Sequence, residues 1–300
     1  MSLDSDALST FLAVHHEGGV SAAARRLGRT QSAISRRLAQ LEETVGAPLF
    51  ERVGRGLVLS QAGRALLPYA ERVVAAIQDA AAAIQTAKSG AAGIVHIAAV
   101  GTLASTGLTR LLQQFKLTFP DAEVRLRTAT SAEVSELVRR GDAAIGLRYS
   151  DDTAADLKCE VVSHERLVVA CAPAHRLAGK RVQSLRRLAN EHWLAFPDKL
   201  PRGEAFAATI FAQFLVRGVA EIDRTAIDSL TAQKRLVEAG FGLALIQESA
   251  IAEELARGDL ALIRVGDLDA KIPVAIVVRR NGFLNQASKA LLAQLRAEGV

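Results

Sequence analysis

Cysteine is scarce in this chain: among 300 residues it occurs only at positions 159 and 171. At most one disulfide can form, and that usage suits a reducing compartment. Long apolar runs are missing too. No stretch approaches the roughly 20 apolar residues a bilayer-spanning helix needs. The first residues, Met1, Ser2, Leu3, Asp4, Ser5 and Asp6, lack the basic and apolar segments of a signal peptide, so a cytoplasmic location with no membrane partner is expected. Low-complexity tracts and internal repeats are absent. So are the signatures of catalysis: no nucleophile elbow, no phosphate-cradling glycine loop and no HExxH. Cys159, His164, Cys171 and His175 are the nearest approach to a metal set. They contain no close cysteine pair, and the last three straddle an apolar strand whose pleat scatters them. No catalytic residue, metal ligand or cofactor is therefore nominated, and an enzyme is not expected.

What is present begins with arginine. Between Gly18 and Arg72 nine arginines face four glutamates, a net of +5, which equals the formal charge of the whole chain. A basic excess concentrated in one short window is an electrostatic footprint for nucleic acid. The same window has a helical grammar. One short helix spans about 20–27 and ends at Gly28, a residue suited to a sharp turn between helices. Thr30 then caps a second helix, in which Ile34, Leu38, Leu41 and Val45 form one apolar stripe. Ser32, Ser35, Arg36, Ala39 and Glu43 fall on the opposite face. In a helix-turn-helix the amino-terminal part of the second helix meets base edges, and small polar groups with one arginine suit that task.

Beyond Gly46 two short apolar segments, 47–52 and 57–60, flank Val53, Gly54, Arg55 and Gly56. This reads as a two-stranded wing with Arg55 at its tip, within reach of a phosphate or the minor groove. The run from Ser21 to Gly28, then Gln31, Ser35, Leu41, Glu42, Gly46, Pro48, Leu49, Phe50, Arg52, Ala62 and Gly63, resembles the amino-terminal domain of LysR-type transcriptional regulators. The resemblance covers about the first 65 residues. It implies that Gln31, Ser32, Ser35 and Arg36 read bases or adjacent phosphates and that Arg52 and Arg55 serve the wing. Two departures stand out: Ser32 occupies a position where the family often has proline, and Val20 replaces a common aromatic.

From Gln61 to Lys88 the only strong helix breaker is Pro68, and Ser60 is placed to cap. At about 1.5 Å per residue the segment spans about 42 Å. Leu66, Ala70, Val73, Ile77, Ala80, Ile84 and Ala87 alternate spacings of four and three, a heptad seam for pairing two copies. The resemblance puts an antiparallel dimer interface on this helix.

The segment 88–93, poor in bulky residues and containing two glycines, reads as a linker. After it strands and helices alternate, which implies parallel or mixed sheets with helices on both faces, and about 210 residues suffices for two lobes. The effector domain of LysR-type regulators is similar to periplasmic binding proteins, with two lobes and two crossing segments. Those crossings are expected near 159–165 and 263–271. Ligands in such sheets lie beyond the carboxyl ends of the strands. Reading those ends nominates Thr102, Thr130, Ser131, Arg148, Phe196 and Pro197. Thr102 and Ser131 are placed to hydrogen-bond a carboxylate and Arg148 to pair with one, so an anionic effector is expected. Capping by the two hydroxyls, and an ion pair of Arg148 with Asp151 or Asp152, are the competing uses. The segment 239–246 resembles the family's glycine-rich turn and strand, with Gln247 where proline often stands.

The expected architecture is thus α/β with three parts: a winged helix-turn-helix over 1–60 with its helix pair at about 21–40, a linker and dimerisation helix over 61–89, and a two-lobed periplasmic-binding-protein-like effector domain over 90–300. Lobe 1 comprises about 91–160 and 268–300, lobe 2 about 161–267. Expected partners are double-stranded promoter DNA, a small-molecule effector, RNA polymerase and further copies of the chain as a homodimer or homotetramer. The last two-thirds alone would also permit a solute-binding module of a transport or signalling system.

Overall fold

The computed structural model describes residues 3–54, 56–89, 93–104, 106–197 and 205–299. Two compact units divide the chain, the bulk of the first being Met1–Lys88 and the second beginning at Ser89. In the first unit, α1 (Ser5–His16), α2 (Val20–Leu27) and α3 (Gln31–Val45) precede a hairpin of β1 (Phe50–Val53) and β2 (Gly56–Leu59), then the long α4 (Gln61–Ser89). Leu8, Phe11, Ile34, Leu38, Leu41 and Leu49 form its core. Phe11 meets Phe50 of the hairpin at 5.3 Å between ring centroids.

Local chemistry fixes each junction. Gly28 adopts φ of +62°, a left-handed conformation that costs glycine little, and the Arg29 amide reaches back to the Ala24 carbonyl at 2.9 Å. Thr30 caps α3 by accepting from the Ala33 amide at 3.2 Å. Ser60 joins wing to long helix: its hydroxyl donates to the Pro48 carbonyl at 2.6 Å and accepts from the Gly63 amide at 3.0 Å. Helix α4 continues through Pro68. The proline cannot donate to the Arg64 carbonyl, so one helical bond is lost there.

The second unit continues with β3 (Ile94–Val100), α5 (Thr106–Thr118), β4 (Glu123–Ala129), α6 (Ser131–Arg140) and β5 (Ile145–Tyr149). Then follow β6 (Leu157–Cys171), β7 (Arg181–Val182), β8 (Trp193–Ala195), α7 (Ala205–Leu215), β9 (Arg224–Ala226), α8 (Leu230–Glu238), β10 (Ala244–Gln247), α9 (Ala252–Arg257), β11 (Ala261–Val265), β12 (Lys271–Arg279) and α10 (Gln286–Glu298). One mixed sheet runs β4-β3-β5-β12-β6-β11-β7, with β10 also on β6; β8 and β9 pair separately in parallel.

Strand β6 links the two lobes. Its residues from Leu157 to Arg166 pair with β12 in the first lobe, and those from Leu167 to Cys171 pair with β10 and β11 in the second. The first crossing therefore falls at Arg166/Leu167 inside a continuous strand. The expected segment 159–165 and the expected lobe boundary at 160 come earlier; both lie where β6 still pairs with β12. Lys158, Glu160 and His164 give that half of the strand a polar sequence, which hid its strand character. The second crossing, between β11 and β12, occupies 266–270, within the expected segment.

Candidate functional site

In the first unit the turn at Gly28 and the apolar stripe of α3 fix which residues that helix turns outward. Ile34, Leu38 and Leu41 are buried, while Gln31, Ser32, Ser35 and Arg36 are exposed. The arginines divide by what they touch. Arg29 holds the Asp6 carboxylate with two bonds of 2.9 Å. Arg37 reaches both Asp4 and Asp6, at 3.2 and 2.5 Å, and Arg26 pairs with Glu17 at 3.4 Å. These three fasten helices to each other. The Arg29 hydrogen bonds, helped by the Arg29 and Arg37 charges, hold the Asp6 carboxyl below the usual carboxylate range against the effect of its partial burial. Arg36, by contrast, has no acidic partner among the described residues; its Nε donates to the Ser32 carbonyl at 3.3 Å. That bond folds the guanidinium back along the amino-terminal turn of α3, beside Ser32 and Ser35.

The wing is set against the same helix. Leu49 donates its amide to the Glu42 carboxylate at 2.7 Å, and β1 pairs with β2 from Phe50↔Leu59 to Val53↔Gly56. Arg52 is exposed on β1. Arg55, expected at the tip, lies outside the described residues.

Along α4, Ala70 is fully buried, while Val73, Ile77 and Ile84 are 43%, 49% and 54% exposed. Tyr69, one helical turn before Val73, is 61% exposed. The first part of the seam thus belongs to the core of its own unit. The rest is an open apolar stripe.

In the second unit a cavity of about 330 Å³ lies between the lobes, large enough for a small metabolite. Gly101, Thr102 and Arg110 line it from the first lobe, Lys234, Ser249 and Glu254 from the second. Thr102, a sequence-nominated residue, is on its wall and shares a hydrogen bond of 2.8 Å with the Tyr149 hydroxyl. The other nominated residues have local duties. Thr130 forms a capping box at the start of α6, with its amide and hydroxyl on Glu133 and the Glu133 amide returned to its hydroxyl. The Ser131 hydroxyl accepts from the Tyr149 amide at 3.4 Å. Arg148 donates to Ser135 at 2.6 Å and to Asp152 at 2.5 Å, and is buried. The cation on which an anionic effector was expected to rest is therefore already shared with its own lobe. Phe196 and Pro197 are half-buried where the chain leaves β8.

Sequence reasoning missed the charged side of this cavity. Lys234 binds Glu254 at 2.7 Å and the Ala250 carbonyl at 3.2 Å. These residues come from α8 and from α9, a helix whose six residues are too few to show a period. The cysteines form no pair: both lie on the one extended strand β6, twelve positions and therefore about 40 Å apart. Burial pushes the Cys171 thiol up to about 11.

Residues 5–64 match the bacterial regulatory helix-turn-helix protein, lysR family, and residues 88–299 match the LysR substrate binding domain. The chain belongs to the LysR family of transcriptional regulators. ShiR of Corynebacterium glutamicum, an HTH-type transcriptional regulator, is 32% identical over 242 residues, 79% of this chain and 80% of ShiR. CbbR of Rhodospirillum rubrum is 28% identical over 292 residues, 97% of this chain and 95% of CbbR. Among solved structures, CbnR, a LysR family transcriptional regulator, aligns with a TM-score of 0.65 at 24% identity, covering 99% of this chain and all of that one. Full-length CbnR complexed with its target DNA aligns at 25% identity with a TM-score of 0.58, covering 99% of both chains. No helix among the described residues is long and apolar enough to cross a membrane.

Proposed function

We propose that this chain is an effector-controlled regulator that reads double-stranded promoter DNA through the amino-terminal half of α3. The observation that carries the reading is the division among its arginines: Arg36 stands free of acids beside Ser32, Ser35 and Gln31, while Arg26, Arg29 and Arg37 are spent on carboxylates. A small polar surface with one uncommitted guanidinium is suited to base edges in a major groove. Arg52 supports it from the wing with a phosphate contact. Two copies, paired along the open stripe of α4, would present two recognition helices to a pseudo-palindromic operator, and contacts between effector domains would extend the dimer to a tetramer. The small molecule in the inter-lobe cavity acts by binding one arrangement more tightly than the other, since equal affinity would shift nothing. The altered arrangement changes DNA bend and recruitment of RNA polymerase. The place of action is the cytoplasm, where the promoter is.

The test is retardation of DNA taken from upstream of the genes neighbouring this one. Wild-type chain is expected to shift one such fragment at a salt concentration that suppresses non-specific binding. The double variant Ser35→Ala, Arg36→Ala is expected not to. Equal retardation by both proteins contradicts the reading.

A further inference from the structure

One polar side chain in the second lobe is buried without any bond to show for it. Gln247 is 0% exposed, and among the described residues neither Nε2 nor Oε1 of its amide has a hydrogen-bond partner. A buried amide with no protein partner gives up hydration without a protein bond to offset it, so it calls for a reason. Its address supplies one. Gln247 ends β10, opposite Leu167 of β6, at the point where β6 passes between lobes. Strand alternation puts its side chain on the face of Leu245 and Leu167, away from Ile246, which packs toward α8 with Val237. Glu165 is the next side chain of β6 on that face. Its carboxylate accepts from the Ser249 hydroxyl at 2.7 Å, and Ser249 lines the inter-lobe cavity. The order along this face is therefore apolar core, then the Gln247 amide, then Glu165 with Ser249, then the cavity. The same end of the lobe carries Phe196 and Pro197 away from β8, which runs parallel to β10 through the Trp193↔Leu243 bridge.

Charge narrows what such a place accepts. Burial, with the nearby Glu248 charge adding to it, pushes the Glu165 carboxyl above the usual range despite the Ser249 bond. A ligand carboxylate brought beside Gln247 would meet the Glu165 carboxyl; the cavity's cations, Arg110 and Lys234, stand on its wall, and Lys234 is already paired with Glu254. A neutral group with a donor and an acceptor side by side would instead complete both ends of the amide.

We propose that Gln247 is a specificity-determining residue for the effector, and that it pairs with a carboxamide-like group reaching past Ser249 from the inter-lobe cavity. This rests on the reading of that cavity as the effector site.

The test uses the full-length chain and Gln247→Met, which keeps length and volume and removes the amide. Without ligand the variant should melt at the same temperature as wild type or higher, because an uncompensated polar group has been removed; a lower melting temperature means the amide is structural and overturns the proposal. The ligand arm compares paired probes: benzamide and benzoate, succinamate and succinate, glutamine and glutamate. At least one amide should raise the wild-type melting temperature more than its carboxylate does, with at least tenfold weaker binding to Gln247→Met. Equal or greater stabilisation by the carboxylates, no stabilisation by any probe, or undiminished amide binding to the variant each overturns it. A carboxylate that stabilises both proteins alike and alters DNA retardation would refute the role of Gln247 while leaving the effector site standing.

Discussion

The Glu42 carboxylate, on the last turn of α3, accepts the backbone amide of Leu49 at 2.7 Å, so the helix proposed to read DNA also sets the start of the wing. Leu49 is fully buried, and its amide has no water to turn to. Glu42→Ala should cost about 1–3 kcal/mol of stability, read as a lower urea midpoint, and should weaken DNA binding by loosening the wing. Glu42→Gln keeps an acceptor and should recover most of both.

Arg36 and Arg37 are neighbours with different partners: Arg37 pairs with Asp4 and Asp6, while Arg36, among the described residues, touches only the Ser32 carbonyl. Arg36→Ala should leave the melting temperature within a degree or two of wild type and weaken operator binding about tenfold or more, the order expected for a base contact. Arg37→Ala should instead lower stability, by up to about 1 kcal/mol for a partly exposed pair network, with the smaller effect on DNA. The two variants compared by melting and by retardation check this directly.

Asp6 should make the amino-terminal unit acid-sensitive. Its folded-state carboxyl titrates below the ordinary range because Arg29 and then Arg37 favour the charged form. The stability this provides is present in full above the ordinary carboxylate pKa and disappears as pH falls through the lowered value. Asp6→Asn should therefore be less stable than wild type at neutral pH, and the difference should close on acidification. A gap independent of pH would contradict the assignment. The side chain is 34% exposed, so solvent screening keeps the effect modest.

The open stripe of α4 predicts assembly. Ile77 and Ile84 are about half exposed in the single chain, so Ile77→Glu with Ile84→Glu should fold normally. Sedimentation should show the wild type as a dimer or larger and the double variant as a monomer. An unchanged size would remove the seam from the interface.

The junctions of the amino-terminal unit were legible because each depends on one residue type with a local reason: Gly28 for a left-handed turn, Thr30 and Ser60 for caps, a three-and-four stripe for α3. The heptad seam was legible as a pattern, but its division was not. Ala70 and Leu66 fall into the core of their own unit while Ile77 and Ile84 stay open, a consequence of where the helix leaves the domain. In the second unit the mostly apolar runs Ile94–Val100 and Ala261–Val265 are themselves strands. The first half of β6 escaped notice because Lys158, Glu160 and His164 interrupt its apolar pattern. Among the cleft residues Thr102 is found on the cavity, whereas the bond of Arg148 to Asp152 is a choice between partners that only packing decides. Gln247 showed in the sequence as a departure from the family's proline, yet nothing there indicated that its amide would be buried unpaired.

Sequence reading by α3 is measured most directly as a ratio of affinities. Binding of the full chain to its operator and to a scrambled duplex of equal length should be measured at one fixed salt concentration. Wild type should prefer the operator by about a thousandfold or more, and Ser35→Ala with Arg36→Ala should bring that ratio close to one while binding to the scrambled duplex falls far less. A wild-type ratio near one, or a ratio the double substitution leaves intact, would contradict the account.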